Sequence, residues 1–286
     1  MSTTPVLPTP DEVGAFYDQV NHLLQRFLGG SMHYGYWHGP DDDSGFREAS
    51  ERFTSIMVDK LRVGPGDLVL DVGCGTGGPA TQLARTTGAR VVGISISAKD
   101  VELATARAAA EGVSDLVRFQ RANALDLPFD AGAFDAALAF ESIVHIPDRV
   151  AALRQIARVL KPGARLALTD AFQRGPEMTQ ADRFGLMKVL AAWRAAPLVG
   201  FDDYLDFARE AGFETEELSD VSANTKPTNA KVFEAIFDYV REHDDAPAGL
   251  VEIVDSVPHF GGELPVGEDD EEHEGVLVFV GTRRAG

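Results

Sequence analysis

Residues 69–79 read VLDVGCGTGGP, and this stretch limits the fold more than any other. Val69, Leu70 and Val72 form an apolar run with one acid, Asp71, inside it. Gly73, Gly75, Gly77 and Gly78 follow, and Pro79 suits the first turn of a helix. Glycine lets backbone approach a ligand closely and take positive φ. In open α/β sheets, ligands sit at the carboxyl ends of the strands. A bare strand-to-helix turn does not need four glycines, so the spacing predicts a turn shaped to let something lie against main chain.

The rest of the chain supplies the sheet. LVLDV (68–72), RVVGISI (90–96), VRFQRA (117–122), FDAALAF (134–140) and RLALTD (165–170) are short strand-like runs. Helical stretches separate them. Ser97 can cap one that stops at Gly112. In Arg149 to Leu160, Val150, Leu153, Ile156, Ala157 and Leu160 share one face, and Lys161-Pro162-Gly163 ends the helix. Strand alternating with helix predicts an α/β fold, a doubly wound and mostly parallel sheet covered on both sides. Upstream, two helices are expected within 11–60, the first capped by Asp11, with an aromatic and glycine-rich loop at 29–45 between them. Residues 1–10, with three prolines, read as disordered. Downstream, 171–210 reads as helical and aromatic, Phe213–Val221 as a strand, Asn229–His243 as a helix and Gly275–Gly281 as a last strand. The expected organisation is a helical segment and lid loop at 1–60, a ligand-binding core at 61–170, and a cap insertion with sheet-completing strands at 171–286.

Gly73 to Gly78 matches G-x-G-x-x-G, which alone is weak evidence for a dinucleotide. That fingerprint also wants an acid about 20 residues on, for the ribose, and VVGISIS offers none. Asp71 would repel a pyrophosphate and suit a cation. S-adenosylmethionine carries a sulfonium and an amino group and no phosphate. VLDVGCGTGG resembles the first motif of the class I S-adenosylmethionine-dependent methyltransferases. The resemblance continues in order through GISIS (93–97), RANALDLPF (121–129), FDAALAFESIVHIPD (134–148) and RVLKPGARLALTD (158–170). YDQVNHLL and HYGYW, ahead of the core, look more loosely like bacterial natural-product enzymes of the subgroup that holds the rebeccamycin sugar O-methyltransferase and the teleocidin C-methyltransferase.

The resemblance implies a Rossmann-like seven-stranded sheet and a cofactor site. Gly73, Gly75 and Gly77 would line the methionine and ribose portion, with Asp71 supporting the amino group. Ser95 and Ile96 would lie beside ribose and adenine, Ser95 standing where many members have an acid. Asn123 and Ala124 would face the adenine, Asn123 in place of a frequent aspartate. Phe140 and Glu141 would close the wall. Tyr17, Tyr34 and Trp37 are candidates to cover the sulfonium, because aromatic faces attract cations.

An aliphatic hydroxyl must lose its proton as it attacks a methyl group, so O-methylation asks for a base. His145, just past the fourth strand, is the first candidate and Asp170 the second. In the sugar O-methyltransferases resembled here, a histidine stands where this chain has Val144. The expected reaction is therefore O-methylation of a bulky, partly apolar secondary metabolite, with N-methylation close behind and C-methylation third. A helical lid over 172–204, with Met178, Met187 and Trp193, would close over it. A non-catalytic cofactor-binding module is the rival from another class.

Composition excludes other classes. A formal net charge of −19 would repel a nucleic-acid backbone. The acidic run GEDDEEHE (267–274) reads as a solvated loop. No apolar run reaches the ~18–20 residues of a membrane span. The N-terminus has no basic or apolar leader, so a cytoplasmic place is expected. One cysteine, Cys74, leaves no intramolecular disulfide, and no histidine pair has zinc-site spacing, so no metal is expected. Homo-oligomerisation is left open.

Overall fold

The computed structural model describes residues 7–29, 31–174, 180–257 and 273–285. Met178, most of the acidic run and the first six residues lie outside the described residues. The chain opens with helices α1 (Pro10–Leu28) and α2 (Phe46–Leu61). The core then alternates β1 (Leu68–Val72), α3 (Gly78–Thr87), β2 (Arg90–Ser95), α4 (Ala98–Ala110), β3 (Val117–Arg121), β4 (Phe134–Phe140), α5 (Arg149–Val159) and β5 (Leu160–Gln173). Helices α6 (Gln180–Ala192) and α7 (Asp203–Ala211) precede β6 (Phe213–Asp220). Helices α8 (Ser222–Thr225), α9 (Pro227–Glu242) and α10 (Ala248–Ser256) precede β7 (Glu274–Arg283).

The seven strands run in the order β3-β2-β1-β4-β5-β7-β6. All neighbours pair in parallel except β7, which is antiparallel to both β5 and β6. The order reverses between β1 and β4, where such sheets open a crevice at their carboxyl edge. The period-two rule of a strand sorts the core. Leu70 and Val72 join Ile94, Leu153, Ile156 and Leu168 under α5 and α7. Val69 joins Phe53, Met57, Leu83, Val91 and Leu138 under α2 and α3. A third cluster packs α1 on α9 and α10 through Val20, Leu24, Ile236, Leu250 and Ile253. Among the described residues no helix is long and apolar enough to cross a membrane.

Three expectations about boundaries are corrected. Thr9, not Asp11, caps α1. Its Oγ1 accepts from the Glu12 N–H at 3.3 Å while the Glu12 carboxylate accepts from the Thr9 N–H at 2.9 Å, and this reciprocal pair satisfies two orphan donors. The last core strand runs from Leu160 to Gln173, longer than 165–170, because β7 pairs with it as far as Gln173. The stretch 193–202 is not helical and carries the chain from α6 to α7.

Gly77 ends the glycine turn at φ 80°, and a Cβ built there would lie 2.8 Å from both Ala104 and Phe119. A left-handed alanine costs about 1–2 kcal/mol and overpacking about 1–3 kcal/mol more. Gly77→Ala is therefore expected to lower the unfolding free energy by about 2–5 kcal/mol, read as a fall in the urea midpoint at constant slope.

Candidate functional site

The turn after β1 is tied to the end of β2. The Gly73 and Cys74 N–H groups both donate to the Ile94 carbonyl, at 2.9 and 2.8 Å. Its glycines are bare for different reasons. A Cβ on Gly73 would strike the Ser142 side chain, and one on Gly77 would strike α4. A Cβ on Gly75, at φ 48°, would meet only Asn21 Nδ2 at 3.6 Å. So Gly73 and Gly77 allow close packing, and Gly75 leaves open the floor of a cavity.

That cavity encloses about 1140 Å³ of empty space, its mouth included. The turn, the end of β2 (Ile94 to Ile96), Ala122 to Leu125, and the end of β4 (Phe140 to Ser142) line it. Val13, Tyr17 and Asn21 of α1 and His33 cover it. Asp71 sits at its base, 1% exposed, and its Oδ2 has no hydrogen-bond partner among the described residues. Burial alone pushes its carboxyl up to about 7.

One wall is a polar node. Ser95 Oγ donates to Asp100 Oδ2 at 3.1 Å, and Asn21 Nδ2 donates to Asp100 Oδ1 at 2.7 Å. Asp100 is 2% exposed, and burial raises it to about 6 against the pull of those bonds. Asn21 Oδ1, equally buried, has no partner. One stripe of α1 faces this wall, because residues three, four and seven apart share a helix face. Gly14 lies against the Ile96 carbonyl. Asp18 accepts from Ser97 Oγ at 2.6 Å and from the Lys99 N–H at 3.0 Å, and Tyr17 reaches the far wall. Asn21 and Asp100 escaped the sequence reading. Asp100 looks like an ordinary first-turn acid of α4, and its one signal was an acid five residues after Ser95.

The far wall carries His145, in a 3₁₀ turn at Ile143–His145. Its Nδ1 lies 2.9 Å from the Arg194 carbonyl and its Nε2 2.8 Å from the Tyr17 hydroxyl. A carbonyl can only accept, so Nδ1 carries the proton and Nε2 accepts from Tyr17. Burial lowers the basicity of His145 and raises Tyr17 well above a phenol's ordinary range, so both are neutral at pH 7.

The cavity gathers most of the expected residues. Asp71, Gly73, Gly75, Ser95, Ile96, Asn123, Ala124, Phe140, Glu141, Tyr17 and His145 line it, while Gly77 lies beneath the turn. Asn123 spends its side-chain oxygen on the Leu125 N–H at 2.9 Å. Glu141, at φ 50°, takes the Tyr34 N–H on both oxygens at 2.9 and 3.0 Å. Phe140 stacks on His33 with centroids 4.0 Å apart.

Besides Gly77, three expected residues are not brought to the cavity. Trp37 is 2% exposed in the α1 cluster, and its Nε1 donates to the Ser44 carbonyl at 2.9 Å. Tyr34 packs beside the α2 core, and its hydroxyl donates to Glu274 at 3.0 Å. Asp170 is fully buried behind the site. It accepts from the Tyr204 hydroxyl and from the Ala171 N–H, and it is not among the residues that line the cavity. Of the two expected bases, only His145 faces the cavity.

Known proteins of this shape agree. The family model described as "Methyltransferase domain" matches residues 70–168. Methyltransferase GfsG of Streptomyces halstedii is 42% identical over 226 residues, 78% of this chain and 80% of that one. The 27-O-demethylrifamycin SV methyltransferase of Amycolatopsis mediterranei is 40% identical over 243 residues, 84% of this chain and 88% of that one. The crystal structure of the [4+2]-cyclase SpnF superposes over the full length of both chains with a TM-score of 0.84 at 29% identity. Other structures of the fold were solved with S-adenosylhomocysteine or sinefungin. With its unpartnered acid, bare Gly75 floor and these relatives, the chain belongs to the class I S-adenosylmethionine-dependent methyltransferases.

Proposed function

We propose that the protein transfers the methyl group of S-adenosylmethionine to a hydroxyl of a small secondary metabolite, with His145 as general base. The carrying observation is His145 in the cavity lining, its Nδ1 held by the Arg194 carbonyl at 2.9 Å and its Nε2 2.8 Å from the Tyr17 hydroxyl. The 27-O-demethylrifamycin SV methyltransferase, whose name states an oxygen acceptor, supports the same atom.

The chain fits the cofactor on its own terms. Asp71 Oδ2 is a buried acceptor in want of a cation, which suits the amino group. Gly75 leaves bare backbone beside it. Asn21 Oδ1 and Asp100 offer acceptors to the ribose hydroxyls, which compensates for Ser95 in place of an acid. Ile96 and Ala124 supply apolar faces for the adenine. The cofactor brings a methyl group already activated on sulfur, so the protein's task is alignment, and positioning of this kind supplies roughly 7–11 kcal/mol. An acceptor hydroxyl takes the place of the Tyr17 O–H at His145 Nε2, and its proton passes to that nitrogen as the oxygen attacks. A base contributes about 10²–10⁴-fold. The [4+2]-cyclase neighbour motivates a second reading, a reaction that isomerises its substrate. Mass spectrometry of metabolites incubated with cofactor separates the two, since methyl transfer adds one methyl and isomerisation leaves the mass unchanged.

His145→Ala is expected to lower kcat by about 10²–10⁴-fold with S-adenosylhomocysteine affinity unchanged by calorimetry. Because burial lowers the His145 pKa, the acid limb of kcat/KM should lie below the ordinary imidazole value of about 6.5. An acid limb above that value, or full turnover in the alanine variant, would refute the base assignment.

Asp71 gives a stability test. Its folded pKa near 7 exceeds the unfolded value of about 3.9, so the folded state holds the extra proton. Stability therefore falls as pH rises from about 4 to 7 and stays reduced above that. The ceiling is on the order of 4 kcal/mol, three units at 1.36 kcal/mol each. Asp71→Asn should raise the melting temperature of the cofactor-free protein at pH 8, change it little at pH 4, and weaken S-adenosylhomocysteine binding at least tenfold. A lower melting temperature at pH 8 would contradict this account of the aspartate.

A further inference from the structure

The charges around the cavity are one-sided. Its lining holds three acids, Asp71, Asp100 and Glu141, and among the described residues no lysine or arginine. The two lining histidines, His33 and His145, are neutral at pH 7, since burial lowers both. Two arginines beside His145, Arg149 and Arg194, stand outside the lining. Arg149 Nη2 donates to the Pro197 carbonyl at 3.2 Å, and Arg194 forks onto Glu252 at 3.0 and 2.8 Å. The stretches outside the described residues contain no lysine or arginine either. The remaining lining is apolar, with Pro8, Val13, Met32, Leu125, Ile146 and Pro147.

We propose that the acceptor is an uncharged or cationic, largely apolar alcohol, and that the site rejects acceptors bearing a phosphate or carboxylate. This rests on the O-methyltransferase reading above and names the charge class of its substrate. An anionic group on the acceptor would lose its hydration among apolar side chains and acids, and the lining offers it no lysine or arginine as a partner. S-adenosylmethionine is a net cation, its sulfonium and amino group outweighing its one carboxylate. The fold does not impose the rule, since a neighbour of the same fold was solved with geranyl diphosphate and Mg²⁺. The reaction balances without an anion: the acceptor oxygen forms a bond to the methyl carbon, the carbon–sulfur bond breaks with its electrons going to sulfur, and the hydroxyl proton goes to His145 Nε2.

The test uses three probes of one length on the full chain loaded with S-adenosylhomocysteine: methyl 12-hydroxydodecanoate, 12-hydroxydodecanoate and (12-hydroxydodecyl)trimethylammonium. Calorimetry at pH 7.5 should show the ester and the ammonium binding at least tenfold tighter than the carboxylate. Met32→Lys, which places one cation in the lining, should reverse that order. Equal or tighter binding of the carboxylate by the unaltered protein, or no binding by any probe, overturns the proposal. If the ester binds but gains no methyl from S-adenosylmethionine, the methyl-transfer reading is weakened while the charge rule stands.

Discussion

A carboxylate without a partner at the end of β1 is the constraint on which the rest of this structure turns. Ionising it in dry surroundings is costly, and leaving it neutral wastes it. Asp71 shares the parity of Val69, in a layer otherwise filled by apolar side chains, and it sits next to the strand end where the sheet order reverses. Natural sheets concentrate such unsatisfied groups where a ligand will complete them. The glycines beside it serve the same end by keeping the approach clear.

The Rossmann half of the chain was legible because its signals are local. Apolar runs, the glycine turn and the helix stop at Gly112 each sit within a few residues of what they specify. Asp170 was not legible in the same way. Its partner Tyr204 is 34 residues away, beyond a stretch, 193–202, that reads as helical and aromatic and is in fact an irregular passage between α6 and α7. Trp37 misled for a related reason. An aromatic residue in a glycine-rich loop looks like a lid, yet its indole N–H closes the loop onto Ser44 and its ring fills the α1 cluster.

The reverse error concerns α1. Its pattern declares an amphipathic helix, and Asp18 and Asn21 pass for its solvent face. Only the tertiary fold shows that this face lies over α4. There Asp18 satisfies the Lys99 N–H of the first turn while Asn21 completes the node around Asp100. Ser95 stands where the resembled family often has an acid, and the polar groups that border it, Asp100 of α4 and Asn21 of α1, come from elements far apart in the chain. Polar residues on a helix carry no mark of what they will face, so a sequence shows that α1 exists but not that one stripe of it forms two walls of the site.

The placement of β7 has a consequence for how the molecule is made. In the sheet, β6 touches only β7, and β7 is slotted between β6 and β5 after both have been synthesised. While the ribosome is still extending α9 and α10, the five-strand half that bears the cofactor cleft can already assemble, but β5 has an open rim and β6 has no neighbour. Arrival of residues 274–283 closes both ladders in one step, so a nascent chain stopped short of them would expose two unpaired backbone edges at once.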